Sequence, residues 1–135
     1  FNISLEEGVE MVLWAIESAW GGEILVPKIP SYRITDVAQA IAPNCRQEVV
    51  GIRPGEKIHE EMITTSDSFN TVDLGSYYAV LPVGGAFTQD EYYLGRKATP
   101  VEPGFAYDSG TNPDFLSVAQ LRELIGKHLN NPAKG

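Results

Sequence analysis

Apolar residues recur at helical spacing near both ends of the chain. The N-terminal set is Leu5, Val9, Val12, Leu13, Ile16 and Trp20. This spacing predicts an amphipathic helix with one apolar face. Ser4 and Glu7 fit a capping box at its start, because each side chain can satisfy a backbone N–H of the first turn. The pair Gly21-Gly22 predicts where the helix ends.

A second helix is predicted over residues 116–129, where Val118, Leu121, Ile125 and Leu129 share one face. Ser117 and Gln120 form another capping box at its start. Residues 130–135 are expected to be a frayed tail. The sequence therefore predicts one domain over residues 1–129, followed by that tail.

The elements predicted between these helices are short. Strands are predicted at residues 23–26, 32–34, 47–52 and 77–83. Thr35 fits the N-cap of a helix that runs to about Ala42. The Arg53-Pro54-Gly55 turn leads into a short helix predicted at residues 56–63. The rest of residues 64–110 is expected to be irregular, because Gly, Pro and Asp are frequent there.

This pattern predicts the α/β class, with short strands and helices in a small domain. A doubly wound nucleotide-binding sheet needs repeated strand–helix–strand units, for which 135 residues with these elements leave no room. One motif that accompanies such a sheet in oxidoreductases, the Gly-x-Gly-x-x-Gly turn, does not occur in the chain.

Charge and composition narrow the possible partners. The net charge of −8 repels phosphate backbones and anionic lipid, so neither nucleic acid nor a membrane is expected as a partner. The single Cys45 has no disulfide or metal-ligand companion, which favours a reduced, cytoplasmic location. No signal peptide is visible. Because the chain starts at Phe1 instead of Met, we expect a fragment or a processed protein.

Residues 51–62, GIRPGEKIHEEM, contain the candidate chemistry. Arg53 lies at the end of a predicted strand, and Glu56 follows a Pro-Gly turn. The guanidinium of Arg53 offers a planar fork of donors that suits phosphate oxygens. Glu56 could accept hydrogen bonds from vicinal hydroxyls, or it could stabilise the start of a helix. The structural alternative is a surface Arg beside a helix-capping Glu.

The same run resembles the RPGEKLHE segment of extended short-chain dehydrogenases/reductases of the polysaccharide-biosynthesis branch. It is most similar to the inverting UDP-N-acetylglucosamine 4,6-dehydratases. Further stretches resemble the family in the same order along the chain. They are residues 3–9 (ISLEEGV), 22–31 (GEILVPKIPS), 36–43 (DVAQAIAP) and 104–112 (GFAYDSGTN). UDP-sugar epimerases and retaining dehydratases of capsule synthesis share the Arg-Pro-Gly-Glu run.

The resemblance implies a two-part enzyme. Its Rossmann domain, missing from this chain, would hold NADP or NAD and carry the catalytic Tyr and Lys. The smaller domain, to which this chain corresponds, would bind the UDP-sugar, so no catalytic or cofactor-binding residue is expected here. Arg53 corresponds to the family Arg that meets the UDP pyrophosphate. Glu56 corresponds to an acidic residue near the ribose hydroxyls, and Lys28 is either a ligand contact or a solvated side chain.

The reaction implied by the resemblance oxidises C4 of the sugar, eliminates water across C5–C6 and returns the hydride to C6. The product would feed pseudaminic acid, flagellar-glycan or capsular-sugar synthesis, and the parent enzyme is expected to be a homo-oligomer. The alternatives are a UDP-sugar epimerase of capsule synthesis, or a stand-alone, non-catalytic module that binds a nucleotide sugar or another subunit.

Overall fold

The computed structural model describes residues 1–130. Four helices, six strands and one 3₁₀ turn follow one another in this part of the chain. Their order is α1 (Leu5–Ser18), β1 (Ile24–Pro27), α2 (Ile34–Ile41), β2 (Glu61–Ile63), the 3₁₀ turn (Asp67–Asn70), β3 (Thr71–Asp73), β4 (Tyr77–Val80), α3 (Gln89–Arg96), β5 (Thr99–Pro100), β6 (Tyr107–Asp108) and α4 (Val118–Asn130). Of the tail predicted at residues 130–135, Asn130 is instead the last residue of α4, and residues 131–135 lie outside the described residues.

The strands form two antiparallel sheets. The larger sheet has the order β1-β4-β3-β5, and the smaller one pairs β2 with β6. One buried cluster lies between the larger sheet and α3 and consists of Val72, Ala79, Leu81 and Tyr92. A second cluster joins the two sheets through Val26, Ile63 and Tyr107. The prediction of a small α/β domain of short strands and helices is confirmed.

The capping boxes mark two helix starts as predicted. Ser4 and Glu7 exchange both hydrogen bonds at the start of α1. Ser117 and Gln120 do the same ahead of α4. The prediction for α2 was wrong by two residues, since Arg33 is the N-cap and makes no side-chain capping bond. The predicted strand at residues 32–34 is also absent, because Ile34 already belongs to this helix and Ser31 forms only an isolated bridge to Phe115.

Two further predictions around the Arg53 turn were wrong. Residues 47–52 form no strand in the described structure, because no neighbouring strand pairs with them there. The predicted helix at residues 56–63 is absent, and its last three residues form β2 instead. Ile63 is fully buried against Tyr107 of β6, so burial in the second cluster outweighs the local helical tendency.

Residues 64–110 are more regular than predicted. They contain the 3₁₀ turn, three strands besides β4, and α3 with its own capping box of Thr88 and Glu91. The three additional strands have two or three residues each, which is too short for an alternating pattern to be visible in the sequence.

Helix α1 leaves a wide apolar face uncovered. None of its residues is buried. Its large exposed side chains are Leu5, Val9, Val12, Leu13 and Ile16. All of these except Ile16 line an open apolar groove together with Ile3. A contiguous patch of this kind usually marks an interaction surface.

Candidate functional site

The Arg53–Glu56 turn is held by its own two charged residues. The backbone N–H of Arg53 donates to Oε2 of Glu56 at 2.8 Å, and the backbone N–H of Glu56 donates to the Arg53 carbonyl at 3.1 Å. Nε of Arg53 lies 2.8 Å from Oε1 of Glu56. Gly55 between them has φ of 86°, a conformation that favours glycine. The two predicted site residues are therefore together and point to the same side of the turn.

This turn leaves the outer edge of the guanidinium available. The Arg53 side chain is 85% exposed and that of Glu56 is 44% exposed. Within residues 1–130, the Arg53 side chain bonds to Glu56 through Nε, and its Nη groups have no hydrogen-bond partner. An exposed ion pair of this kind adds about 1 kcal/mol or less to stability. The pair therefore contributes little to the stability of the fold, and the Nη groups are the donors that it leaves available.

Lys28 has a different environment from Arg53. Its ammonium lies 2.7 Å from both carboxylate oxygens of Asp73 and 4.4 Å from the centroid of the Tyr78 ring. It lines a cavity of about 350 Å³ whose walls include Tyr78, Phe105 and Tyr107. Because Asp73 already neutralises the ammonium, an anionic ligand would have to share it with that carboxylate.

The segment from Tyr107 to Asn112 holds the backbone that follows β1, next to Lys28. The Tyr107 hydroxyl accepts from the Ile29 N–H and donates to the Ile29 carbonyl, both at 2.9 Å. Nδ2 of Asn112 donates to the same carbonyl at 2.9 Å and to Oγ of the fully buried Ser31 at 3.0 Å. Burial raises the pKa of Tyr107 further above neutral pH, so the hydroxyl stays protonated and able to donate in alkaline solution as well.

The same segment also holds the chain that follows the Arg53 turn. The backbone N–H of Ser109 donates to the Glu60 carbonyl at 2.8 Å, and the backbone N–H of Glu60 donates to the Ser109 hydroxyl at 2.9 Å. Asp108 pairs with Glu61 in the β2–β6 ribbon. One segment therefore connects the two stretches that carry the three candidate residues. Sequence reasoning noted its Tyr-x-Ser-x-x-Asn pattern as a family resemblance but assigned it no role.

We predict that Asn112→Ala destabilises the protein by roughly 1–3 kcal/mol, because it leaves the buried Ser31 hydroxyl without its partner. The midpoint of denaturant unfolding measures this change. Asn44→Ala is the matched control, since Asn44 is exposed and makes no side-chain hydrogen bond within the described part of the chain. Equal midpoints for the two variants would contradict the role given to Asn112.

The described residues offer no sign of a metal centre or a membrane span. Within residues 1–130, no three His, Cys, Asp or Glu side chains are grouped closely enough to hold a metal ion. No helix in that range has both the length and the apolar character needed to cross a bilayer.

The chain belongs to the polysaccharide biosynthesis protein family, whose model matches residues 1–82. It is 46% identical over 129 residues to a UDP-N-acetylglucosamine 4,6-dehydratase (inverting) of Campylobacter jejuni. It is also 28% identical over 130 residues to a UDP-glucose 4-epimerase of Rickettsia bellii. These matches include 93% of this chain but only 39% and 37% of the two relatives. The chain thus spans about two fifths of the length of the proteins it resembles.

A solved structure shares the fold. The X-ray structure of Pen from Bacillus thuringiensis superposes with a TM-score of 0.74 at 24% sequence identity, covering 96% of this chain and 38% of that one. The short strands and helices described above therefore correspond to one portion of a larger structure.

Proposed function

We propose that this chain is the UDP-sugar-binding portion of a nucleotide-sugar 4,6-dehydratase that acts on UDP-N-acetylglucosamine. The observation that carries the proposal is the 46% identity to an inverting dehydratase across nearly the whole chain. The exposed Arg53–Glu56 turn supports it, because it combines an available guanidinium edge with an adjacent acceptor. The product would enter pseudaminic acid, flagellar-glycan or capsular-sugar synthesis in the cytoplasm.

In this proposal Arg53 binds the pyrophosphate and Glu56 accepts from the ribose hydroxyls. Glu56 is unfavourable near phosphate unless a cation offsets its charge, and the 2.8 Å ion pair supplies that cation. The Nη groups of Arg53 remain to donate to phosphate oxygens. Lys28 is the weaker candidate, since an incoming phosphate competes with Asp73 for its ammonium.

The remaining portion of the full-length protein would supply the chemistry. NADP (or NAD) bound there would accept the hydride from C4 of the sugar. The described residues contain no glycine-rich turn of the kind that cradles a dinucleotide, so the cofactor site is assigned to that other portion. The exposed face of α1 is proposed as the surface on which this portion, a Rossmann domain, docks. The assembled enzyme is proposed to be a homo-oligomer.

We predict that the full-length protein converts UDP-N-acetylglucosamine into a 4-keto-6-deoxy sugar nucleotide, whereas the 135-residue chain forms none. NMR spectroscopy of the reaction mixture detects this product and the configuration at C5. Interconversion of UDP-glucose and UDP-galactose without dehydration would favour the second candidate, the epimerase, which the Rickettsia relative suggests. Formation of this product by the 135-residue chain would contradict the proposal that the remaining portion of the protein supplies the chemistry.

A further inference from the structure

Residues 46–52, with the sequence RQEVVGI, have the composition of a strand but lie exposed on the surface. The exposed fractions of Val49 and Val50 are 96% and 87%. Ile52 is exposed as well. β-Branched residues favour strands because they pack well on a pleated, half-buried surface. Three of them exposed within four positions gain none of that packing.

The backbone of this segment is also unpaired within residues 1–130. None of its N–H or C=O groups takes part in a backbone hydrogen bond there. In the described part of the chain, its one hydrogen bond joins the Gln47 side chain to the Thr35 carbonyl at 3.5 Å. The flanking chain is ordered, since Cys45 bonds to Ala42 before it and Arg53 bonds to Glu56 after it. Successive unpaired backbone groups beside apolar side chains form a template for another strand.

We propose that residues 46–52 become a strand by pairing along one edge with an extended segment from the portion of the full-length protein outside this chain. Relatives that match this chain through 129 residues are about two and a half times as long, because the match includes 39% of their length. The apolar face of α1 is uncovered in the same way. The simplest explanation of both uncovered surfaces, residues 46–52 and the face of α1, is that one further domain of the same protein covers them.

The pairing would have a functional consequence, which rests on the proposed function. Arg53 directly follows the segment, and within residues 1–130 its own turn is held only by the bonds to Glu56. An added strand would fix the backbone up to Ile52 and so orient the guanidinium before substrate binds. Preorganisation of this kind lowers the entropy lost on binding.

Hydrogen–deuterium exchange of the full-length protein tests the pairing. Amides of residues 48–52 that carry strand hydrogen bonds should exchange roughly a hundredfold or more slowly than unprotected amides. Exchange at unprotected rates in the folded protein would overturn the proposal. Protection that disappears when the protein is diluted to a monomer would also overturn it, because the partner would then be a second copy of the chain.

Val49→Pro and Val50→Pro serve as each other's control. Successive N–H groups of a strand point to opposite edges, and proline removes one of them. With a single partner strand, one variant should lose the protection of the segment and the other should keep it. If both variants lost the protection equally, the segment would have a partner strand along each edge, and the proposed pairing along one edge would be refuted. Protection retained in Arg53→Ala together with unchanged substrate affinity would refute the role proposed for Arg53 in substrate binding while leaving the strand pairing intact.

Discussion

Replacing Arg53 by Ala in the full-length protein should raise the dissociation constant for UDP-N-acetylglucosamine about tenfold or more. A hydrogen bond to a charged group contributes roughly 1.5–3 kcal/mol, and about 1.4 kcal/mol corresponds to a factor of ten. In the proposed site, the substitution would also leave the Glu56 carboxylate beside the pyrophosphate without its counter-charge. Isothermal titration calorimetry measures the affinity, and the bound cofactor should remain unchanged.

Two variants distinguish a specific contact from a general change in charge. Lys57→Ala removes a positive charge four residues further along the chain and should alter the affinity far less. Arg53→Lys keeps the charge but loses the planar fork, so its affinity should lie between those of Arg53→Ala and the unmodified protein. Unchanged affinity in Arg53→Ala would refute the assignment of this residue to the substrate.

A charge placed on the apolar face of α1 should destabilise the full-length protein strongly and the isolated chain hardly at all. Val12 is 58% exposed in the described structure, and Val and Asp have similar helix propensities. Val12→Asp should therefore leave helix α1 itself nearly unchanged. If another domain covers this face, the buried carboxylate costs roughly several kcal/mol. Thermal unfolding of both forms measures the difference.

The isolated chain provides an independent readout of the same surface. With the face of α1 uncovered, it should self-associate as its concentration rises, and Val12→Asp should suppress this association in analytical sedimentation. Leu94→Asp is the control, because Leu94 is 84% exposed but lies on α3. A chain that stays monomeric over a wide range of concentration, or equal effects of the two substitutions, would argue against docking at α1.

Local signals in the sequence were sufficient for the terminal helices and for the family. The capping boxes at Ser4 and Ser117 involve residues three positions apart, so the bonds that begin these helices are encoded within one turn. The Arg53-Pro54-Gly55 turn was likewise predictable from proline and glycine chemistry. The motif around it indicated the polysaccharide-biosynthesis family, which the family match confirms.

The middle of the chain was less predictable, because its strands are two to four residues long and depend on distant partners. Residues 56–63 show the limit most clearly. A short helix was predicted there, yet Ile63 pairs in a strand with Tyr107, which lies more than forty residues away in the sequence. The roles of Tyr107 and Asn112 were hidden for the same reason, since their hydrogen bonds reach back to Ile29 and Ser31.

The sequence by itself thus determined the family, the α/β class, the terminal helices and the choice of Arg53, Glu56 and Lys28 as candidates. Only the tertiary structure decided that Arg53 pairs with Glu56 in an exposed turn, whereas Lys28 pairs with Asp73 in a less exposed position. The physical reason is the range of the interactions. Caps and turns act within a few residues, but strand pairing, burial and the Lys28–Asp73 contact join positions tens of residues apart.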